Sequence, residues 1–113
     1  MIEVIEEYLK YKEIAETLKY NVEGTIEEVK NSSVEDFIEN ILDIKRTAML
    51  INGKWETETY KFCMAWGGPN IYLTTDGIIE GYWGNEKYVI KCDNPEFMEK
   101  LREIEEYLDK IYT

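Results

Sequence analysis

The feature that most constrains the fold of this chain is a series of tight-turn dipeptides between residues 47 and 92. Asn52-Gly53, Asp76-Gly77 and Gly84-Asn85 each separate two segments that are rich in Tyr, Trp, Thr, Ile and Val. Asn-Gly and Asp-Gly pairs favour the left-handed backbone that two-residue hairpin turns need. Strands joined by such short turns run antiparallel, because a parallel connection needs a dozen or more residues. This segment therefore predicts an antiparallel meander of four or five strands.

The turns set the bounds of the predicted strands. These strands are Thr47–Ile51, Lys54–Trp66, Ile71–Thr75, Ile78–Trp83 and Lys87–Cys92. The second strand is long enough to contain a bulge, and Gly67-Gly68-Pro69-Asn70 predicts the turn that follows it. A Gly-Gly turn can also present backbone N–H groups to an anion. That loop has no lysine and no helix after it, so we interpret it as a hairpin turn.

Two helices are predicted before the meander. Residues 2–20 place apolar side chains at alternating steps of four and three, which is typical of an amphipathic helix. Gly24 is expected to end this stretch, and Thr25 with Glu28 forms a capping box for a short further turn. A second helix is predicted over about 34–46, where apolar residues again recur at helical spacing.

One helix is predicted after the meander. Asn94 is a favourable N-cap, Pro95 suits the first helical position, and the apolar repeat runs to about Tyr112. Helices segregated from one antiparallel sheet define a two-layer α+β fold. We therefore predict a single domain over residues 1–113, with N-terminal helices and a C-terminal helix packed on the meander in the order α-α-β-β-β-β-β-α.

The chain is strongly acidic, and its acidity lies on the predicted helices. It has 24 Asp and Glu against 13 Lys and Arg, for a net charge of −11. Residues 47–92 hold five acids and four bases, so the remaining segments carry −10 of this charge. Such a surface repels nucleic acid and anionic membranes and attracts basic surfaces, many of which are nucleic-acid-binding grooves. We therefore expect a basic protein partner, such as a nucleic-acid-binding enzyme, with no direct nucleic-acid contact and no membrane contact.

The candidate partner-binding residues are helical carboxylates and strand aromatics. Alternate residues of a strand face opposite ways, so some of the meander's aromatics should be exposed, and exposed Trp and Tyr anchor protein interfaces. The predicted partner-binding residues are Glu6, Glu7, Glu13, Glu99, Glu103, Glu106, Asp109, Trp55 and Trp83. The structural alternative is that the acidic face is only solvated and keeps the protein soluble, and that the aromatics pack across strands.

Several kinds of active site are excluded by what the chain lacks. It has no histidine, which removes the commonest general base and every Ser-His or Cys-His nucleophile. Cys63 and Cys92 are interpreted as reduced thiols, with a disulfide between neighbouring strands as the alternative. Two isolated cysteines without histidine do not suit zinc. Paired glutamates lie on amphipathic helices, whereas a catalytic pair needs burial or a close partner. We therefore predict no catalytic residue, no metal and no cofactor.

The hairpin around the third and fourth predicted strands has a distinctive sequence. Over residues 64–90, its Gly67-Gly68-Pro69-Asn70-Ile71-Tyr72, Asp76-Gly77 and Gly81-Tyr82-Trp83-Gly84 segments resemble those of small uncharacterised phage and plasmid proteins. In size, acidity and lack of catalytic residues, the chain is similar to anti-CRISPR and anti-restriction proteins, many of which place carboxylates where the phosphates of a nucleic acid would lie. This resemblance implies a non-enzymatic inhibitor from a mobile element, and it assigns a role to no residue.

Other functions and one location follow from the same residues. An immunity protein against a nuclease toxin would need the same acidic surface. A small-ligand-binding module would enclose a pocket lined by Trp66, Tyr72 and Trp83, and an oligomerising module would pair through its meander or C-terminal helix. Both a monomer and a homodimer therefore remain open. The acidic N-terminus and the lack of an apolar run of about 18 residues predict a cytoplasmic location, the host cytoplasm for a phage-encoded protein.

Overall fold

The segments between the tight turns form one antiparallel sheet with the strand order β1-β2-β3-β4-β5. The computed structural model describes the backbone of residues 2–112 and the side chains of residues 15–112. The strands are β1 Asp43–Ile51, β2 Lys54–Ala65, β3 Asn70–Thr74, β4 Ile78–Trp83 and β5 Glu86–Lys91. Each strand pairs antiparallel with the next one along the chain, so the predicted five-stranded meander is confirmed.

The β1–β2 turn shows how its sequence determines the hairpin. Asn52 and Gly53 have φ angles of 51° and 79°, and two successive positive φ angles are what a type I′ turn requires. The turn aligns Ile51 with Lys54. This register then continues along the longest hairpin of the sheet.

Three helices complete the fold. They are α1 Ile2–Asn31, α2 Val34–Asn40 and α3 Pro95–Tyr112. The order of elements is therefore the predicted α-α-β-β-β-β-β-α, and the α+β class is confirmed. Asn94 begins α3 as predicted, since its side-chain oxygen accepts a hydrogen bond from the backbone N–H of Phe97 at 3.1 Å. Within residues 2–112, no helix combines the length and the apolar character needed to cross a bilayer.

The first helix is longer than predicted, because Gly24 does not end it. The helix predicted over 2–20 is present, but its predicted end was wrong, since α1 continues without a break to Asn31. Thr25, expected as a cap, is instead buried inside the helix, and its hydroxyl donates to a main-chain carbonyl one turn earlier at 3.0 Å. The segment after Gly24 also buries Val29 completely. Tertiary packing of this part of the helix outweighs the low helix propensity of a single glycine.

Gly24 is consequently a position where the helix can be stabilised. A Cβ added there would meet no atom within 4 Å. Glycine in a helix interior is less favourable than alanine by roughly 0.5–1 kcal/mol. We expect Gly24→Ala to raise the free energy of unfolding by about this amount, measured by urea denaturation. An unchanged or lower stability would contradict a continuous α1.

The second helix is shorter than predicted. It ends at Asn40, and residues 43–46 of the predicted continuation belong instead to β1. Ile41 has extended backbone angles, and the N–H of Leu42 donates to the carbonyl of Cys63 on β2 at 2.9 Å. Pairing with β2 over the rest of β1 therefore replaces the hydrogen bonds that a longer helix would make. This long-range competition is not visible in the local apolar spacing.

The core lies between the helices and one face of the sheet. The helical residues of the core are Leu18, Val22, Val29, Phe37, Phe97, Leu101, Ile104 and Leu108, and the strand residues are Tyr60, Phe62, Ile71, Leu73 and Ile79. Helix α1 packs over β4 and β5 and beside α3, and α3 also contacts α2. The opposite face of the sheet carries no helix among the described residues.

Candidate protein-binding surfaces

The outward side of the helices forms a surface dominated by carboxylates, which we call the acidic helical surface. Its exposed acids are Glu16, Glu23, Glu27, Glu28, Glu35, Asp36, Glu39, Glu96, Glu99, Glu103 and Glu106. The exposed bases on the same helices are Lys19, Arg102 and Lys110. Eleven exposed acids thus stand against three exposed bases on the described part of this layer. The surface therefore carries a strong negative potential.

Helix α3 arranges four of these acids in a row. Glu96, Glu99, Glu103 and Glu106 follow one another at steps of three, four and three, which places them on one side of the helix. Because an α-helix rises 1.5 Å per residue, the row covers roughly 15 Å, with one carboxylate per about 5 Å. A nucleic-acid strand carries one phosphate per about 3.4 Å along the duplex axis. The two charge densities are of the same order.

Three of the five bases on the described part of this layer are already engaged by its acids. The Lys30 ammonium lies 3.3 Å from Glu27 and 3.6 Å from Glu96, and its hydrogen bond to Glu27 raises the pKa of Lys30. Arg102 is hydrogen-bonded to Glu99, and this bond raises the pKa of its guanidinium. These cations therefore stay charged beside a carboxylate and add little positive potential of their own.

Several exposed acids remain available to a partner. Glu16, Glu28, Glu35, Glu39 and Glu106 make no ion pair with any residue in the described part of the chain. Exposed ion pairs contribute only about 0–1 kcal/mol to stability. The paired glutamates can therefore exchange their partners for an incoming base at small cost.

Four acids expected on the helices are not among the eleven exposed acids of this surface. Glu6, Glu7 and Glu13 fall in α1, but their side chains lie outside the described residues, so their role stays a prediction. Asp43, expected on the second helix, begins β1 and lines a groove on the uncovered sheet face. The prediction that it belongs to the helices was wrong, for the same reason that α2 is short.

Asp109 differs from the other predicted acids of α3. It is half-buried, and its Oδ1 accepts a hydrogen bond of 2.7 Å from the hydroxyl of Tyr60, whose side chain is buried in the core. This contact joins α3 to β2. Burial, followed by the hydrogen bond to Asp109, raises the pKa of Tyr60 above its ordinary value of 10.0. Asp109 therefore has a structural role, and its predicted contact with a partner stays a prediction.

The raised pKa of the Tyr60 hydroxyl predicts that the stability of the protein changes at alkaline pH. Because the pKa of Tyr60 is higher in the folded state, folding favours its protonated form, and this stabilisation is lost as pH rises above 10 through the folded pKa. We expect the free energy of unfolding to fall as pH rises above about 10, and to fall less steeply in Tyr60→Phe. Urea denaturation across this range measures both slopes. Equal slopes would contradict the assignment to Tyr60.

The two tryptophans that were predicted to bind a partner differ in exposure. Trp55, on β2, is 63% exposed, whereas Trp83 is partly buried against the core beneath the helices. The contact predicted for Trp83 stays a prediction, but its ring is not part of an exposed patch. Trp66, which was not among the predicted partner-binding residues, is 68% exposed. Its position directly before Gly67-Gly68, where a strand ends, was the available sequence signal.

The uncovered sheet face carries a shallow groove of about 290 Å³. Its lining residues are Asp43, Lys45, Lys61, Cys63, Tyr72, Glu80 and Tyr82. The Lys61 ammonium lies 3.3 Å from a Glu80 carboxylate oxygen and 5.1 Å from the centre of the Tyr72 ring. The two lysines and two acids of the groove balance, so its charge selects neither an anion nor a cation.

An adjoining groove of about 460 Å³ is lined in part by Trp66 and Tyr72. These are two of the three residues predicted for a small-ligand pocket, but the third, Trp83, lies on the opposite face of the sheet.

The two native cysteines, Cys63 and Cys92, are free. Among the described residues, no cluster of three or more His, Cys, Asp or Glu could hold a metal ion.

No protein-family model, curated protein or solved structure matches this chain.

Proposed function

We propose that this protein is a non-enzymatic inhibitor from a mobile element. It binds the basic nucleic-acid groove of a nuclease or CRISPR effector through its acidic helical surface. The observation that carries this proposal is the segregation of charge between the two layers. The three helices have a net charge of −10, whereas the five strands together have a net charge of +1.

A groove that binds phosphates is suited to bind carboxylates in the same places. Arg and Lys form charge-assisted hydrogen bonds with both groups. The row of four glutamates on α3 offers such groups at a spacing close to that of a strand of phosphates. Because these acids repel one another in the free protein, a basic partner also removes an unfavourable interaction.

Helix α1 offers a contact for a single basic side chain. Tyr20 is 77% exposed, and beside it Gly24 leaves a shallow depression of about 560 Å³ bordered by Glu23, Glu27 and Glu28. An Arg or Lys of the partner in this depression would lie among three carboxylates and against an aromatic ring. Cation–π contacts at exposed sites contribute about 0.5–1 kcal/mol. The depression thus adds specificity to an attraction that is otherwise long-ranged.

Salt-dependent capture tests this proposal. The immobilised protein is exposed to a lysate of its producing or host cell at about 100 mM salt, and bound proteins are eluted at about 500 mM salt and identified. The proposal expects a nucleic-acid enzyme that is retained only at low salt. Capture that is equally strong at both salt concentrations would contradict binding through exposed carboxylates. Recovery of a nuclease toxin whose gene adjoins the gene of this protein would identify the protein as the immunity protein against that toxin.

A further inference from the structure

Strand β1 leaves one edge of the sheet without a neighbouring strand in the described chain, and the half of this edge near the hairpin tip is apolar. Near the tip of the β1–β2 hairpin, Met49, Leu50 and Ile51 are 50%, 60% and 40% exposed, and Trp55 is 63% exposed. Natural edge strands are usually protected by short length, proline, a bulge or charged side chains. β1 has nine residues and contains neither proline nor glycine. Its only charged residues are Asp43, Lys45 and Arg46, so the half from Thr47 to Ile51 has none of these protections.

The irregularity in this hairpin lies on β2 and not on β1. Thr47 pairs with Thr59, and the next residue, Ala48, pairs with Thr57, so the extra residue is Glu58. A bulge on an edge strand would disrupt its free hydrogen-bonding groups. Because the bulge is on the inner strand, β1 stays continuous through all nine residues. Its outer edge is regular enough to pair with another strand.

A row of apolar side chains crosses the helix-facing side of the sheet and ends at this edge. The registers place Ile90, Ile79, Leu73, Phe62 and Ile44 side by side, one from each strand. The three central residues are 0% exposed, whereas Ile44 at the edge is only half-buried. The row therefore stops where the sheet stops, and it leaves apolar surface beside Ile44.

We propose that β1 pairs with β1 of a second copy, antiparallel and about a two-fold axis at Thr47, to give a homodimer with a continuous ten-stranded sheet. This register pairs all nine residues of the strand and places Leu50 of one copy beside Ile44 of the other. Leu50 pairs with Trp55 in its own chain. The apolar row of each copy thus continues across the axis onto the exposed hairpin of the other.

The charges on β1 favour this register. Centring the axis on Lys45 or Arg46 would set two identical cations opposite each other, which destabilises a cross-strand pair. Centring it on Thr47 sets two threonines opposite each other, which is a favourable pair, and leaves Lys45 opposite Met49. No two like charges are directly opposed.

The surface available is sufficient for a specific dimer. The large apolar side chains near this edge are 40 to 63% exposed, and they are Leu42, Met49, Leu50, Ile51 and Trp55. Their exposed area is on the order of 600 Å² per copy, so two copies can bury at most about 1,200 Å², the lower end for specific interfaces. A two-fold axis perpendicular to the sheet keeps both helical layers on one side. The dimer stands independently of the proposed inhibition, but it would double the acidic surface.

The dimer and the inhibitor complex respond to salt with opposite signs. Two copies that each carry a net charge of −11 repel each other, and screening reduces this repulsion. Raising the salt concentration is therefore expected to strengthen the dimer and to weaken capture of a basic partner. The two proposals can consequently fail separately.

Sedimentation velocity with a matched pair of variants tests the interface. We expect a monomer–dimer equilibrium over about 10–200 µM protein, with Leu50→Glu raising the dimer dissociation constant at least tenfold. Leu50 is 60% exposed, so this change leaves the monomer folded. Val89→Glu makes the same change of charge on the other edge strand, at a residue that is 44% exposed. This control is expected to dimerise like the wild type.

A cysteine at Thr47 tests the register directly. The axis places this residue opposite itself, with Cα atoms about 4.5–5.5 Å apart, which is within reach of a disulfide. Mild oxidation should link Thr47→Cys into a dimer faster than Arg46→Cys, with the wild type as background for the native thiols. A monomer at every concentration would overturn the proposal. A dimer that Leu50→Glu does not weaken or that Thr47→Cys does not link would also overturn it.

Discussion

Replacing Glu99, Glu103 and Glu106 with glutamine is expected to weaken binding to the basic partner about ten- to hundredfold at about 100 mM salt. These residues are exposed, and they lie on one side of α3 at steps of four and three. Glutamine keeps their size and removes three of the four negative charges of the row. Because exposed charges act mainly through steering, most of the loss should fall on the association rate. Surface plasmon resonance with the captured partner measures the rate and the affinity.

The control for this variant removes the same amount of charge from the sheet. Glu56, Glu58 and Glu86 lie on β2 and β5, so their replacement with glutamine changes the net charge equally but leaves the acidic helical surface intact. We expect this second variant to bind within about threefold of the wild type, as is typical of charges outside an interface. Equal loss in the two variants would mean that only total charge matters. If the helical variant binds with unchanged affinity, the interface does not include this row of glutamates.

Gly81→Ala is expected to have the largest effect on stability, a loss of about 1–3 kcal/mol. Gly81 is buried on β4 directly beneath α1. A Cβ added there would lie 2.8 Å from Leu18 Cδ1 and would overlap Val22 Cγ2. Both of these side chains are fully buried in the core, so they cannot move away without disturbing other contacts. The absence of a side chain at Gly81 therefore allows α1 to approach the sheet closely.

Urea denaturation of a pair of variants measures this effect. The same substitution at Gly24, on the outer side of α1, is expected to stabilise the protein, because a Cβ there meets no atom within 4 Å. The sign of the change should therefore differ between Gly24→Ala and Gly81→Ala. A Gly81→Ala protein as stable as the wild type would contradict the close packing of α1 on β4.

The strands were predictable, apart from the start of β1, because their boundaries are set by the local chemistry of the turns. A turn such as Asn52-Gly53 needs two positive φ angles, which few residue pairs adopt, so its sequence specifies both the turn and the strand direction. The start of α3 was predictable for a similar reason, since Asn94 and Pro95 suit the N-cap and the first helical position. These signals depend on neighbouring residues alone.

The errors in the prediction concern the ends of α1 and α2, which depend on residues distant in sequence. Gly24 weakens a helix locally, but burial of Val29 on the other side of it continues α1. The helix predicted to residue 46 ends at Asn40, because the chain that follows pairs with β2. Neither effect is visible in the apolar spacing, since both depend on contacts with parts of the chain that are distant in sequence.

The candidate site was predictable in its charge but not in its aromatic residues. The separation of acidic helices from a near-neutral sheet follows from residue counts once the elements are assigned. Exposure of single aromatics follows from strand register, and β2 has bulges at Glu58 and Met64 that change this register. Simple alternation groups Trp66 with the buried Tyr60, whereas the structure exposes Trp66 beyond the end of the strand.

Competition with nucleic acid for the captured partner tests the central claim most directly. Fluorescence anisotropy would follow a labelled DNA or RNA on the partner while this protein is added. If the acidic helical surface occupies the groove, the nucleic acid is displaced completely, and its apparent dissociation constant rises in proportion to the concentration of free inhibitor. The variant of Glu99, Glu103 and Glu106 should need about ten- to hundredfold more protein for the same displacement. A ternary complex that retains both the nucleic acid and this protein would contradict the account.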